Sequence, residues 1–113
     1  MEITIQETGN NFGAKIKVIG VGGGGGNMIS HIINSGGTHP DIELVMANTD
    51  AQALHAGRAS HKLQLGSKLT KGLGAGMRPI TGKEAAMESY EEIKKVLEGA
   101  DLVFIAAGLG GGT

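Results

Sequence analysis

Short, densely apolar runs alternate along this chain with stretches in which apolar positions recur at helical spacing. Residues 15–21 (KIKVIGV) are rich in β-branched side chains and stop at glycine, which predicts a strand. Residues 42–48 (IELVMAN) predict a second. Residues 102–107 (LVFIAA) predict a third, nearly all apolar and so suited to cover on both faces. Residues 62–65 are a shorter extended candidate. Over 27–34, Met28, Ile29, Ile32 and Ile33 share one helical face. Asn27 is placed to cap that helix and Gly36-Gly37 to end it. Residues 82–98 make the clearest helix, with Ala86, Tyr90, Ile93 and Leu97 as its apolar stripe. Thr81 and Glu84 match a capping box at its start, and Gly99 suits the left-handed residue past its last turn.

This order predicts an α/β fold, Rossmann-like, with a three-layer parallel sheet. A polar tail, 1–14, precedes one domain over 15–113. The carboxyl edge of such a sheet is where ligands bind, and the predicted strands 15–21 and 102–107 run directly into glycine there.

Composition sharpens that point. Of the 113 residues 21 are glycine, and 13 of those fall within 20–26, 72–76 and 108–112. The absence of cysteine excludes disulfides, thiolate catalysis and Cys-ligated zinc. A net charge of −1 gives no electrostatic case for nucleic acid or an anionic membrane. No run is long enough to span a bilayer, and the polar start lacks a signal peptide, so a soluble cytoplasmic protein is expected. His31, His39, His55 and His61 have no metal-ligand spacing and read as surface residues; Met28, Met46, Met77 and Met87 read as core or edge packing.

Five glycines in a row, Gly22, Gly23, Gly24, Gly25 and Gly26, let a backbone approach an anion and aim its N–H groups at one point, as phosphate sites do. A Walker P-loop is excluded, because no lysine stands in register. Gly20, Gly22 and Gly25 match a dinucleotide fingerprint, but its acidic partner should follow about 20 residues on. That partner belongs at the end of the second strand, which here is Asn48-Thr49-Asp50, about 30 positions on. Glycine loops at 22–26, 74–76 and 108–112 would together surround a di- or triphosphate, with the Thr113 hydroxyl beside them.

The segments IKVIGVGGGGGN (16–27), NTDAQAL (48–54), KGLGAG (71–76) and LEGADLVFIAAGLGGGT (97–113) closely resemble the FtsZ family of bacterial cell division, which are tubulin-like GTPases. The resemblance covers 15–113 and keeps the family's motif order. It implies that the loop ending in Asn27 holds nucleotide phosphates and that Asn48, Thr49 and Asp50 form a second nucleotide loop. Gly74, Ala75 and Gly76 would form a third. That loop typically reads G-A-G-A-N-P, and Met77 and Arg78 depart from it. Gly108, Gly110, Gly111, Gly112 and Thr113 would be the first half of the tubulin signature.

The implied ligands are GTP and GDP, with Mg2+ held through the phosphates. The implied partners are further copies in a head-to-tail filament and other division proteins. Membrane contact would come only through adaptors, and no nucleic acid is involved. The protein would act in the cytoplasm at the division site. In the family, base contacts and the acidic loop that activates water in trans come from later segments. No catalytic residue is therefore expected within these 113 residues, and they should not turn over GTP efficiently alone. Two other readings stand beside this one. One is an NAD- or FAD-binding domain of an oxidoreductase. The other is a fragment that binds no nucleotide and pairs with another chain through the 102–107 strand.

Overall fold

The computed structural model describes residues 14–108 and 111–113. The expected tail therefore lies outside the described residues, except for Ala14. The elements run β1 (Ile16–Val21), α1 (Gly22–Asn34), β2 (Ile42–Asn48), α2 (Ala51–Ala56), β3 (His61–Gln64), α3 (Ser67–Thr70), α4 (Pro79–Glu88), α5 (Tyr90–Leu97) and β4 (Leu102–Ala107).

All three strand pairings are parallel, in the order β3-β2-β1-β4. Ile16 faces both Ile42 and Leu102, and Val21 faces both Ala47 and Ala107. The three long strands thus end in step, and the loops that follow them emerge along one edge.

Side-chain alternation builds the three layers. Leu44 and Met46 pack with Ile29 of α1, Leu54 of α2 and Ala59, joined by Ile32 and Ile33. Val45 and Ala47 turn the other way and pack with Ile19, Leu65 and Ala85, joined by Ile93, Val96 and Leu97 of α5. The core is aliphatic, with Ile29 and Val45 closed off from solvent. β4 is an edge strand whose Leu102, Phe104 and Ile105 stay exposed. No helix among the described residues is long and apolar enough to cross a membrane.

Two expected helices are redrawn. α1 starts at Gly22, so the glycine run is its opening turns and not a loop before it. Asn27 lies inside the helix, and Val21 holds the capping position without a side-chain bond. Glycine is a poor helix former, by about 1 kcal/mol against alanine, but here close packing requires it. A Cβ on Gly25 would stand 2.5 Å from the Ala106 carbonyl oxygen, and one on Gly20 would stand 2.2 Å from the Gly25 oxygen.

The single helix expected over 82–98 is two helices meeting at Ser89. Its start is set by Pro79 in the first turn behind Arg78, and no Thr81 cap forms. The buried stripe shifts accordingly. Ala85 and Ser89 are buried while Tyr90 is exposed. Gly99 does take the left-handed conformation, at φ 80°. Of the four methionines expected to pack, only Met46 is buried; Met28, Met77 and Met87 are exposed.

Candidate functional site

The sequence places four groups of candidate residues on separate segments, and the sheet brings them to its carboxyl edge. A cleft of about 320 Å³ is lined by Gly23, by Asn48, Thr49 and Asp50 after β2, by Gly74, Ala75 and Gly76, and by Gly112 and Thr113. A second, of about 210 Å³, is lined by Gly22, Gly23, Gly26, Asn27 and Asn48. Gly23 and Asn48 line both, so the two clefts are continuous lobes of one site. A larger open cleft, about 620 Å³, lies at the opposite edge among Lys15, Asp41, Arg58 and His61. It contains none of the glycine loops.

Hydroxyl and amide groups join the loops. Thr49 Oγ1 lies 2.6 Å from Thr113 Oγ1, and Thr113 Oγ1 donates to Asn48 Oδ1 at 3.4 Å. Asn48 Oδ1 also accepts from the Asp50 N–H at 3.2 Å. Asp50 caps α2, its Oδ1 accepting from the N–H groups of Gln52 and Ala53 at 2.9 and 3.2 Å. The third loop docks against this strand end, where Ala51 N–H donates to the Gly72 carbonyl at 3.0 Å. A Cβ on Gly112 would meet the backbone nitrogens of Arg78 and Met77 at 2.8 and 3.0 Å, so the third and fourth loops also pack backbone to backbone.

The glycines divide by what they face. Gly25 is buried between α1 and the sheet. Gly22, Gly74 and Gly76 have φ of 75°, 91° and 60°, a region that disfavours other residues. Gly23, Gly108 and Gly111 have neither demand, because a Cβ there would meet nothing within 4 Å among the described residues. At these three positions the absence of a side chain leaves backbone bare toward open space. Gly24 is similar, with only ordinary contact to Gly108. Gly110 lies outside the described residues. Ala53, Leu73 and Met77 also line the lobes; Leu73 stands between two loop glycines, Met77 follows Gly76 in the third loop, and Ala53 falls within 48–54.

Among the described residues lining the two lobes, Asp50 is the one that is ionisable. The site therefore offers an anion backbone N–H groups, threonine hydroxyls and the start of α1, with no lysine or arginine in its lining. Among the described residues no cluster of three His, Asp or Glu side chains is placed to hold a metal. Magnesium typically keeps several waters and binds through one or two carboxylates plus substrate phosphates. A single carboxylate already used as a helix cap suits a metal carried chiefly on phosphates.

Residues 15–113 match the family model described as Tubulin/FtsZ family, GTPase domain. Among solved structures, the chain is similar to an empty FtsZ dimer from M. jannaschii, with TM-score 0.83 and 50% identity over 89% of this chain and 29% of that one. A mutant FtsZ from M. jannaschii gives TM-score 0.82 and 49% identity over 88% of this chain and 30% of the other. CetZ2 from Haloferax volcanii, in a GTPγS-bound protofilament, gives TM-score 0.72 and 27% identity over 87% of this chain and 31% of that chain. The chain thus spans less than a third of the length of each of these structures.

Proposed function

Because the chain belongs to the Tubulin/FtsZ family, matching its GTPase domain over residues 15–113, we propose that its carboxyl edge binds the phosphates of GTP and GDP. The observation that carries this reading is the bare backbone at Gly23, Gly108 and Gly111. The protein's own packing does not demand glycine there, and a phosphate approaching the N–H groups would. Gly23–Gly24 would hold the phosphates at the start of α1, with 74–76 and 111–113 closing over them. Mg2+ would be bound through phosphate oxygens. These residues alone would bind nucleotide with little base discrimination and little turnover.

The family's finer role is proposed with it: head-to-tail self-assembly into the filament of bacterial cell division, in the cytoplasm at the division site, with other division proteins as partners and membrane contact only through adaptors. An FtsZ dimer and a CetZ2 protofilament among the similar structures support the self-assembly part. The dinucleotide reading is disfavoured by the match of residues 15–113 to the Tubulin/FtsZ GTPase domain.

Calorimetric titration of the chain with GTP, GDP and NAD tests this. Saturable binding of both guanine nucleotides in the presence of Mg2+, tighter than NAD, is expected. Equal or tighter binding of NAD would overturn the assignment.

A further inference from the structure

Loop 71–78 lines the nucleotide cleft in an unusual backbone conformation. Lys71, Gly72, Gly74, Gly76 and Met77 all have positive φ, between 55° and 91°, and two of the five carry side chains. Such a run persists only where its surroundings over-determine it. Its far end is Arg78, the residue before α4. Its near end is α3, and α3 is bound to the other end of that same α4. Glu88 Oε2 and Oε1 accept from the N–H groups of Lys68 and Leu69, both at 3.0 Å. Ser89 Oγ, buried, accepts from the Gly66 N–H at 2.9 Å. Gly66 itself is left-handed and lies against Ala85, where a Cβ would come within 2.4 Å of the Ala85 Cβ. Thr70 then ties α3 to the second loop, its Oγ1 donating toward the Thr49 carbonyl at 3.3 Å.

We propose that Glu88 and Ser89 are positioning residues for nucleotide binding, latching α3 to the α4–α5 junction and so holding loop 71–78 in the shape that faces the phosphates. The break in the helix at Ser89 belongs to this device, since it sets both latch residues toward α3. The carboxylate makes two charge-assisted bonds to backbone that has no partner of its own in so short a helix. The proposal rests on reading the cleft as a phosphate site.

The test uses the full chain with Glu88→Ala, Glu88→Gln and Ser89→Ala. It reads amide hydrogen exchange and the dissociation constant for a fluorescent GTP analogue. Glu88→Ala should speed exchange at Lys68, Leu69 and the hydrogen-bonded loop amides of Leu73 and Arg78 by about tenfold or more, the scale of a hydrogen bond to a charged group. Exchange in β1 and β2 should be unchanged, and GTP affinity should fall by a similar factor. Glu88→Gln keeps one acceptor oxygen and should fall between wild type and Glu88→Ala. Ser89→Ala gives the same local pattern if Glu88→Ala does not fold. Exchange that is unchanged in the loop, or raised equally everywhere, overturns the latch. A loosened loop with unaltered GTP affinity overturns the positioning role. If the wild-type chain binds no GTP, the phosphate reading fails and the role in binding with it, while exchange still decides whether the latch exists.

Discussion

The hydroxyls of Thr49 and Thr113 lie 2.6 Å apart although 64 residues separate them. One follows β2 and the other follows β4, so this contact closes the second and fourth loops across the end of β1. Thr113 donates onward to Asn48 Oδ1, which leaves Thr49 as the donor of the pair. Thr49 is completely buried. Valine keeps the shape of threonine and removes the hydroxyl. Thr49→Val and Thr113→Val should each lower the unfolding free energy by about 1 kcal/mol in urea denaturation. The double variant should cost clearly less than the sum, since both remove one bond. Full additivity would show that the pair contributes nothing as a unit.

Gly23 and Gly25 should separate binding from folding. A Cβ at Gly23 meets nothing within 4 Å, whereas one at Gly25 would stand 2.5 Å from the Ala106 oxygen. Gly23→Ala should leave stability unchanged or raised by roughly 0.5–1 kcal/mol, the usual glycine penalty within a helix. It should also weaken GTP binding at least about tenfold, which a steric loss near 1.4 kcal/mol produces. Gly25→Ala should instead destabilise the fold by about 1–3 kcal/mol, the range for an overpacked core. Thermal unfolding and nucleotide titration of the two variants check both halves. A Gly23→Ala protein that binds GTP like wild type would remove the main support for a phosphate at that position.

The long strands were legible because short apolar runs with β-branched residues announce themselves locally, and in β1 and β4 glycine marks the end. β2 and β4 have the bounds expected, and β3 falls one residue from its expected start. The start of α1 was not legible. Consecutive glycines argue for a loop by propensity, and only the nearness of Gly20 and Ala106 shows why a helix without side chains fits there. The break at Ser89 was hidden for a similar reason, since the Gly66 N–H its hydroxyl serves lies 23 residues away. At the site, the loop glycines and the Asn48–Thr49–Asp50 segment could be read from the chain. Ala53 and Met77 fall within those marked segments, but that their side chains line the cleft was not legible, because it depends on how the loops dock.

Asp50 serves α2 through its carboxylate, which accepts from Gln52 and Ala53. Asparagine caps about as well as aspartate, whereas alanine loses about 1 kcal/mol. Asp50→Asn should therefore keep the wild-type Tm, and Asp50→Ala should lower stability by that amount. If Asp50→Asn keeps its Tm yet loses Mg2+-dependent GTP binding, the charge has a ligand role beyond the cap.

Met77 occupies the left-handed region at φ 58° and is 77% exposed. That conformation brings the Cβ of an L-residue too close to a carbonyl oxygen, at a cost of about 1–2 kcal/mol. Little packing is available to offset the cost at so exposed a position. Met77→Gly removes the clash but adds freedom to the unfolded chain, so the net gain should be about 0.5–1 kcal/mol. Met77→Asn should gain less, because asparagine tolerates this region better than methionine but keeps a Cβ. Both changes should slow amide exchange at Leu73 and Arg78 while leaving the α1 amides as they were. A Met77→Gly protein less stable than wild type would mean that the thioether holds the loop through contacts its exposure conceals.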